Sequence, residues 1–90
     1  MNSGGNISTG SVNYAIGDDA LAAITTQTGN IAIGQSSQTS STATNNVSVG
    51  HSALRVNQTG TGNTSIGTLS GFLNTLGNAN TYCGYQCGVE

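Results

Sequence analysis

Five glycines recur along the chain at almost constant spacing: Gly17, Gly34, Gly50, Gly67 and Gly84, at intervals of 17, 16, 17 and 17 residues. The columns around them agree. Asn stands four residues before each glycine, at Asn13, Asn30, Asn46, Asn63 and Asn80. The residue directly before is Ile16, Ile33, Val49, Ile66 or Cys83, and two before come Ala15, Ala32, Ser48, Ser65 and Tyr82. The repeating unit is Asn-x-small-aliphatic-Gly followed by about twelve looser residues. Self-similarity at a fixed short period is the mark of a stacked-repeat architecture and decides the fold before any local propensity does.

Each five-residue core reads as a short strand closed by a turn. Side chains alternate along a strand, so the first and third residues before each glycine share one face. That face holds Tyr14 with Ile16, Ile31 with Ile33, Val47 with Val49, Thr64 with Ile66, and Thr81 with Cys83. The opposite face carries Asn and a small residue. Glycine after the strand fits a corner that needs positive φ or close backbone approach. A second, weaker apolar stretch follows in most copies, as in Ala20 to Ile24, Ala53 to Val56 and Leu69 to Leu73, and reads as another short strand. Asp18 to Gln27 has the look of a capped helix, but its equivalents at 36–44 and 68–75 are rich in poor helix formers. Equivalent copies share a structure, so strand or irregular coil is preferred.

A period near 17 is too short for a helix pair and matches one coil of a narrow parallel β-solenoid, with coils stacked about 4.8 Å apart. The expectation is an all-β solenoid of about five 16–17-residue coils over residues 13–88. Residues 1–12 read as an irregular leading segment or partial coil, and 89–90 as the end of a fragment. Each column becomes a ladder. Ile16, Ile33, Val49, Ile66 and Cys83 are expected to form the dry structural core, and the five Asn residues a ladder bonded amide to amide. Gly, Asn, Thr and Ser make up 49 of the 90 residues, whereas Leu, Ile, Val and Phe number 17. One large aliphatic per coil is thin for a lone solenoid. Burial could be gained by packing the small column of Ala15, Ala32, Ser48 and Ser65 against copies of the chain, and a symmetric homo-oligomer is expected, a threefold being natural for a parallel fibre.

The run Asn13-Tyr14-Ala15-Ile16-Gly17-Asp18-Asp19-Ala20-Leu21 resembles the head repeats of trimeric autotransporter adhesins. Asn63-Thr64-Ser65-Ile66-Gly67 is similar to related repeats of phage tail fibres. The resemblance covers about residues 13–88. It implies a left-handed parallel β-roll assembled as a homotrimer and used for attachment to surfaces.

Composition removes several classes of function. With one Lys or Arg and a net charge of −2, the chain cannot neutralise a nucleic-acid backbone. No apolar run is long enough to insert in a membrane. The few chemical side chains do not assemble a site. Asp18 and His51 share a column two rungs apart, about 9.6 Å by simple stacking, too far for a catalytic hydrogen bond. Asp19 is followed by no further Asp, so a calcium-binding solenoid is not supported. No catalytic, cofactor-binding or metal-ligating residues are expected, and the chain is read as non-enzymatic.

Cys83 and Cys87 are spaced unlike a redox or zinc pair. Buried small hydrophobes, a disulfide within or between chains, or a functional thiol all remain open for them. Sequons begin at Asn6, Asn46, Asn57 and Asn63, two of them on the structural Asn ladder. Tyr14, Tyr82 and Tyr85 are candidates for stacking on sugars. The expected function is a structural and adhesive fibre module, extracellular, on a cell surface or virion fibre, whose partners are its own copies and an unidentified host protein or glycan. The alternative is an ice-binding β-solenoid. Thr42-Ala43-Thr44 and Thr59-Gly60-Thr61 suit it, but they stand at different distances from their preceding repeat glycines.

Overall fold

The computed structural model describes residues 12–23, 27–72 and 74–88. The expected leading segment, but for Val12, and residues 89–90 lie outside them. Among the described residues the chain is all-β and contains no helix. Strands β1 (Tyr14–Ile16), β2 (Ile31–Ile33), β3 (Val47–Val49), β4 (Thr64–Ile66) and β5 (Thr81–Cys83) form one parallel sheet in chain order. Ile16 pairs with Ile33, Ile33 with Val49, Val49 with Ile66 and Ile66 with Cys83, so the columns stack in single file as a β-solenoid.

The Asn ladder holds the coils together, but not amide to amide. Asn13 Oδ1 accepts from the backbone N–H of Asn30 at 3.0 Å. The same bond joins Asn30 to Asn46, Asn46 to Asn63, and Asn63 to Asn80, at 2.9–3.0 Å. Each Nδ2 donates to the carbonyl three residues before the next Asn: Gln27, Ala43, Gly60 and Gly77. One side chain thus ties its coil to the next and closes its own loop.

That bonding inverts the expected core. For Asn30, Asn46 and Asn63 to reach both partners their side chains must point inward, and all three are fully buried. Alternation then places Ala32, Ser48 and Ser65 inside, also fully buried. The aliphatic column faces out: Ile16 is 59% exposed, Ile66 45% and Ile33 37%, Val49 is half-buried and Cys83 exposed. The ladder of Ile16, Ile33, Val49, Ile66 and Cys83 is therefore not the dry core of the single chain, and the small column is not free to pack against other copies. The interior is built from Asn and small residues on the strand side, met by Ala20, Leu21, Ala53 and Leu54 from across the coil.

Among the described residues, which leave out Ile24 and Leu73, the segments after the glycines are not strands. Residues of positive φ alternate along them, at Asp19 and Leu21, Ser36 and Gln38, and Ser52 and Leu54. In the second coil the N–H groups of Ser36 and Gln38 donate to Asp18 and Ala53 of adjacent coils, while Ser37 and Thr39 close turns onto Gly34 and Ser36. A zigzag of turns in place of a pleated strand keeps every second N–H aimed along the solenoid axis. The corner at Gly50 needs glycine twice over. Its φ is +137°, and an added Cβ would lie 2.5 Å from the carbonyl oxygen of Gly67.

Asn46→Ala leaves the buried Asn63 N–H without its acceptor, at roughly 1–3 kcal/mol, and takes from the Gly60 carbonyl one of its two donors, Asn57 Nδ2 remaining. Chemical denaturation should find a larger loss for Asn46→Ala than for Asn13→Ala, whose side chain is only part-buried. Equal losses would contradict the buried-ladder account.

Candidate functional site: the outward face of the sheet

The same alternation that draws Asn inward leaves two apolar columns on the outer face of the sheet. Tyr14, Ile31, Val47, Thr64 and Thr81 form one, and Ile16, Ile33, Val49, Ile66 and Cys83 the other. Tyr14 is 60% exposed beside Ile16. No charged residue lies on this face. With rungs about 4.8 Å apart and strands about 10 Å long it covers roughly 240 Å². Apolar character declines along the chain, from Tyr14 with Ile16 to Thr81 with Cys83.

Among the described residues the charged side chains and His51 gather on the turn side. Asp18, Gln35, His51, Thr68 and Tyr85 follow the five corner glycines, and the bonds of Ser36 N–H to Asp18, Ser52 N–H to Gln35 and Leu69 N–H to His51 confirm that they stack. Asp18 and His51 are separated by the Gln35 rung. Arg55 lies over the Phe72 ring of the next coil, 5.9 Å from its centroid, a cation–π contact. Among the described residues no three His, Cys, Asp or Glu side chains gather as a metal site, and no helix is long and apolar enough to cross a membrane.

The two cysteines are both free thiols and belong to opposite sides of the wall. Cys83 is on the outer face. Cys87 is register-equivalent to Ser37, Ala53 and Ser70, all buried: the Gly71 N–H donates to the Cys87 carbonyl as Leu54 N–H does to Ser70. The sequons at Asn46, Asn57 and Asn63 rest on fully buried side chains, inaccessible in the folded chain, and Asn6 lies outside the described residues.

The threonine pairs come into step when counted to the following Asn. The second coil is one residue shorter, and its loop absorbs the difference before Ala43, which is equivalent to Gly60 as acceptor for the Asn ladder. The N–H groups of Asn45, Gly62 and Ala79 donate to Thr28, Thr44 and Thr61, so these threonines and Asn78 form one column at the corner. Thr42 and Thr59 flank the buried Ala43 and Gly60 and are exposed.

Three features escaped the sequence reading. Asn74 Nδ2 donates to Asn57 Oδ1 at 2.8 Å, an amide-to-amide bond on a second ladder whose equivalent in the second coil is the buried Ser41. Gln38 is fully buried in the column of Leu21 and Leu54, its Nε2 donating to the Ile31 carbonyl at 2.9 Å and to Ser48 Oγ at 2.9 Å. Tyr82 occupies the small column, and its ring enters the space left by Gly71 and Gly88 where earlier coils have Leu54 or Leu21; its hydroxyl donates to Asn74 Oδ1 at 3.2 Å. The signal was present: a large residue in a small column coincides with glycine in the leucine column. Comparison with known protein families, with curated proteins and with solved structures finds no match to this chain.

A Cβ on Gly71 would lie 2.8 Å from the Tyr82 ring. Gly71→Leu should therefore destabilise the chain by several kcal/mol through overpacking and strain at φ +62°, and pairing it with Tyr82→Ser should restore part of the loss. A double-mutant cycle in denaturant checks this, and strict additivity would remove the coupling.

Proposed function

We propose that the chain is a non-enzymatic structural and adhesive fibre module, a segment of an extracellular, cell-surface or virion fibre that attaches to a host surface protein or glycan. In this reading three parallel copies pack as a homotrimer, with the outer sheet faces turned toward a common axis. The observation that carries it is the uncharged apolar face, stacked in register over five rungs and left uncovered by the single chain. Each half-exposed aliphatic buried there contributes roughly 1 kcal/mol, repeated on three chains. A standard pairwise interface takes about 800 Å² from each partner, more than this face offers alone. A threefold ring adds the flanks of the face to the contact. The resemblance to adhesin head and tail-fibre repeats supports the same arrangement. The host is then met from the turn-side column and the threonine corner, which point away from the axis.

Sedimentation should give three times the 8.9 kDa chain mass at micromolar concentration. Ile33→Asp puts three like charges together and should return the monomer with its circular dichroism intact, because Ile33 is not needed inside a single coil. A stable wild-type monomer would refute the trimer.

Ice binding is a second reading, favoured by the threonine column. Oxygens joined by hydrogen bonds of about 2.75 Å in a tetrahedral network have second neighbours about 4.5 Å apart, near the spacing of about 4.8 Å between coils. Against it, Thr42 Oγ1 is already bonded to the Gln58 carbonyl, and the fourth coil replaces the pair with Leu76 and Asn78. A thermal-hysteresis measurement decides: no activity at millimolar protein eliminates this reading.

A further inference from the structure

Two independent observations meet at Cys83. The first is the outer sheet face, whose covering by other copies of the chain is the reading proposed above. The second is the fate of the thiols: Cys83 is exposed on that face, while Cys87, four residues later, falls in the inward column across the Gly84 corner. Side-chain alternation turns Tyr82 into the interior and so fixes Cys83 outward. Within its own chain Cys83 therefore faces away from the only other cysteine.

Copies packed in parallel and in register through this face bring like rungs together. Tyr14 and Ile16 then meet their own counterparts, and at the fifth rung Cys83 meets Cys83. An antiparallel arrangement would set the most apolar rung against Thr81 and Cys83, wasting the gradient of the face. In the parallel arrangement the rung that gains least from hydrophobic burial is the one that carries sulfur. We infer that Cys83 is the site of an interchain disulfide that locks neighbouring copies of the chain, an inference that rests on the proposed self-association. Extracellular conditions are oxidising enough to maintain such a bond. With glutathione disulfide as oxidant, one Cys83 thiolate attacks it to give a mixed disulfide and releases one glutathione thiolate. The Cys83 thiolate of the neighbouring copy then displaces the second glutathione. One protein S–S bond forms, one glutathione S–S bond breaks, and the electron pair and two protons end on two glutathione thiols.

Three is odd, and this gives the link a signature. One thiol per chain around a threefold axis joins two chains and leaves the third unpaired. The Cys87→Ser variant, incubated with oxidised glutathione at micromolar concentration, should show covalent dimer and monomer on a non-reducing denaturing gel. Chains in the two bands should stand at about 2:1, with about a third of Cys83 unlinked to another chain. Cys83→Ser should abolish the dimer. A cysteine moved to the turn side, Thr68→Cys in a background lacking both native cysteines, should cross-link at least tenfold more slowly. Sedimentation of the same samples separates the two claims. A trimer that yields only glutathione adducts, or that still cross-links in Cys83→Ser, overturns the Cys83 link and leaves the fibre reading standing. A monomer overturns both. Dimer formation that consumes every Cys83 supports the Cys83 contact and refutes the threefold axis.

Discussion

Everything in this fold depends on one hydrogen bond, made four times: the side-chain carbonyl of an Asn accepts the backbone N–H of the Asn one coil later. Asn suits this place because one short side chain offers both an acceptor and a donor. The acceptor fixes the coil-to-coil step, and the donor gathers the loop carbonyl of its own coil, from Gln27 to Gly77. Ser or Ala could fit the volume but could not do both. Pointing inward is obligatory for these contacts, and the face assignment of every other strand residue follows from it.

The polar interior is a consequence. The strand wall contributes Asn and small residues to the interior, and leucines enter from the turn side, at Leu21 and Leu54. What replaces them is a lattice of satisfied polar groups. Ser37 bonds Ser48, Ser65 donates to the Ser70 carbonyl at 2.6 Å, and Asn57 donates to Gly60. Buried polar groups cost free energy only when unpaired. Two side-chain atoms among the described residues remain so, Gln38 Oε1 and Ser70 Oγ. Gln38 stands where Leu21 and Leu54 stand in other coils, which makes the second coil the most polar inside as well as in sequence. A chain with so few aliphatics escapes the disordered class because its side chains solvate its own backbone.

The period, the parallel stacking and the register were legible because they need only that like columns recur. Which face was inside was not. Hydrophobicity assigned Ile16, Ile33, Val49 and Ile66 to the core, a sound rule where a sheet has a single buried side. Here the deciding quantity was the reach of the Asn amide, which depends on where the loop carbonyls of Ala43 and Gly60 return in space. The threonine pairs misled for a related reason. Counted from the preceding glycine, the shortened second coil shifts them; counted to the following Asn, they align. The turn side was read as a weak strand because alternate positive φ at residues such as Leu21 and Leu54 leaves little trace in residue type.

A solenoid of this kind divides its residues into those that hold the next coil and those that face outward, and the two sets hardly overlap. Interior columns communicate only with adjacent rungs, so stability accumulates coil by coil. The outer face accumulates in the same unit, because each further rung adds another pair of residues to the same flat stripe. In the proposed assembly, strength of association follows the number of rungs that carry aliphatics and is least where Thr64 and Thr81 replace Ile31 and Val47. At the fifth rung both interior and face depart from the pattern, Tyr82 by filling the inside and Cys83 by carrying a thiol outside. The two substitutions are neighbours in sequence and opposite in direction. Tyr82 supplies the packing volume given up by Gly71 and Gly88, and Cys83 carries an exposed thiol at the least aliphatic rung.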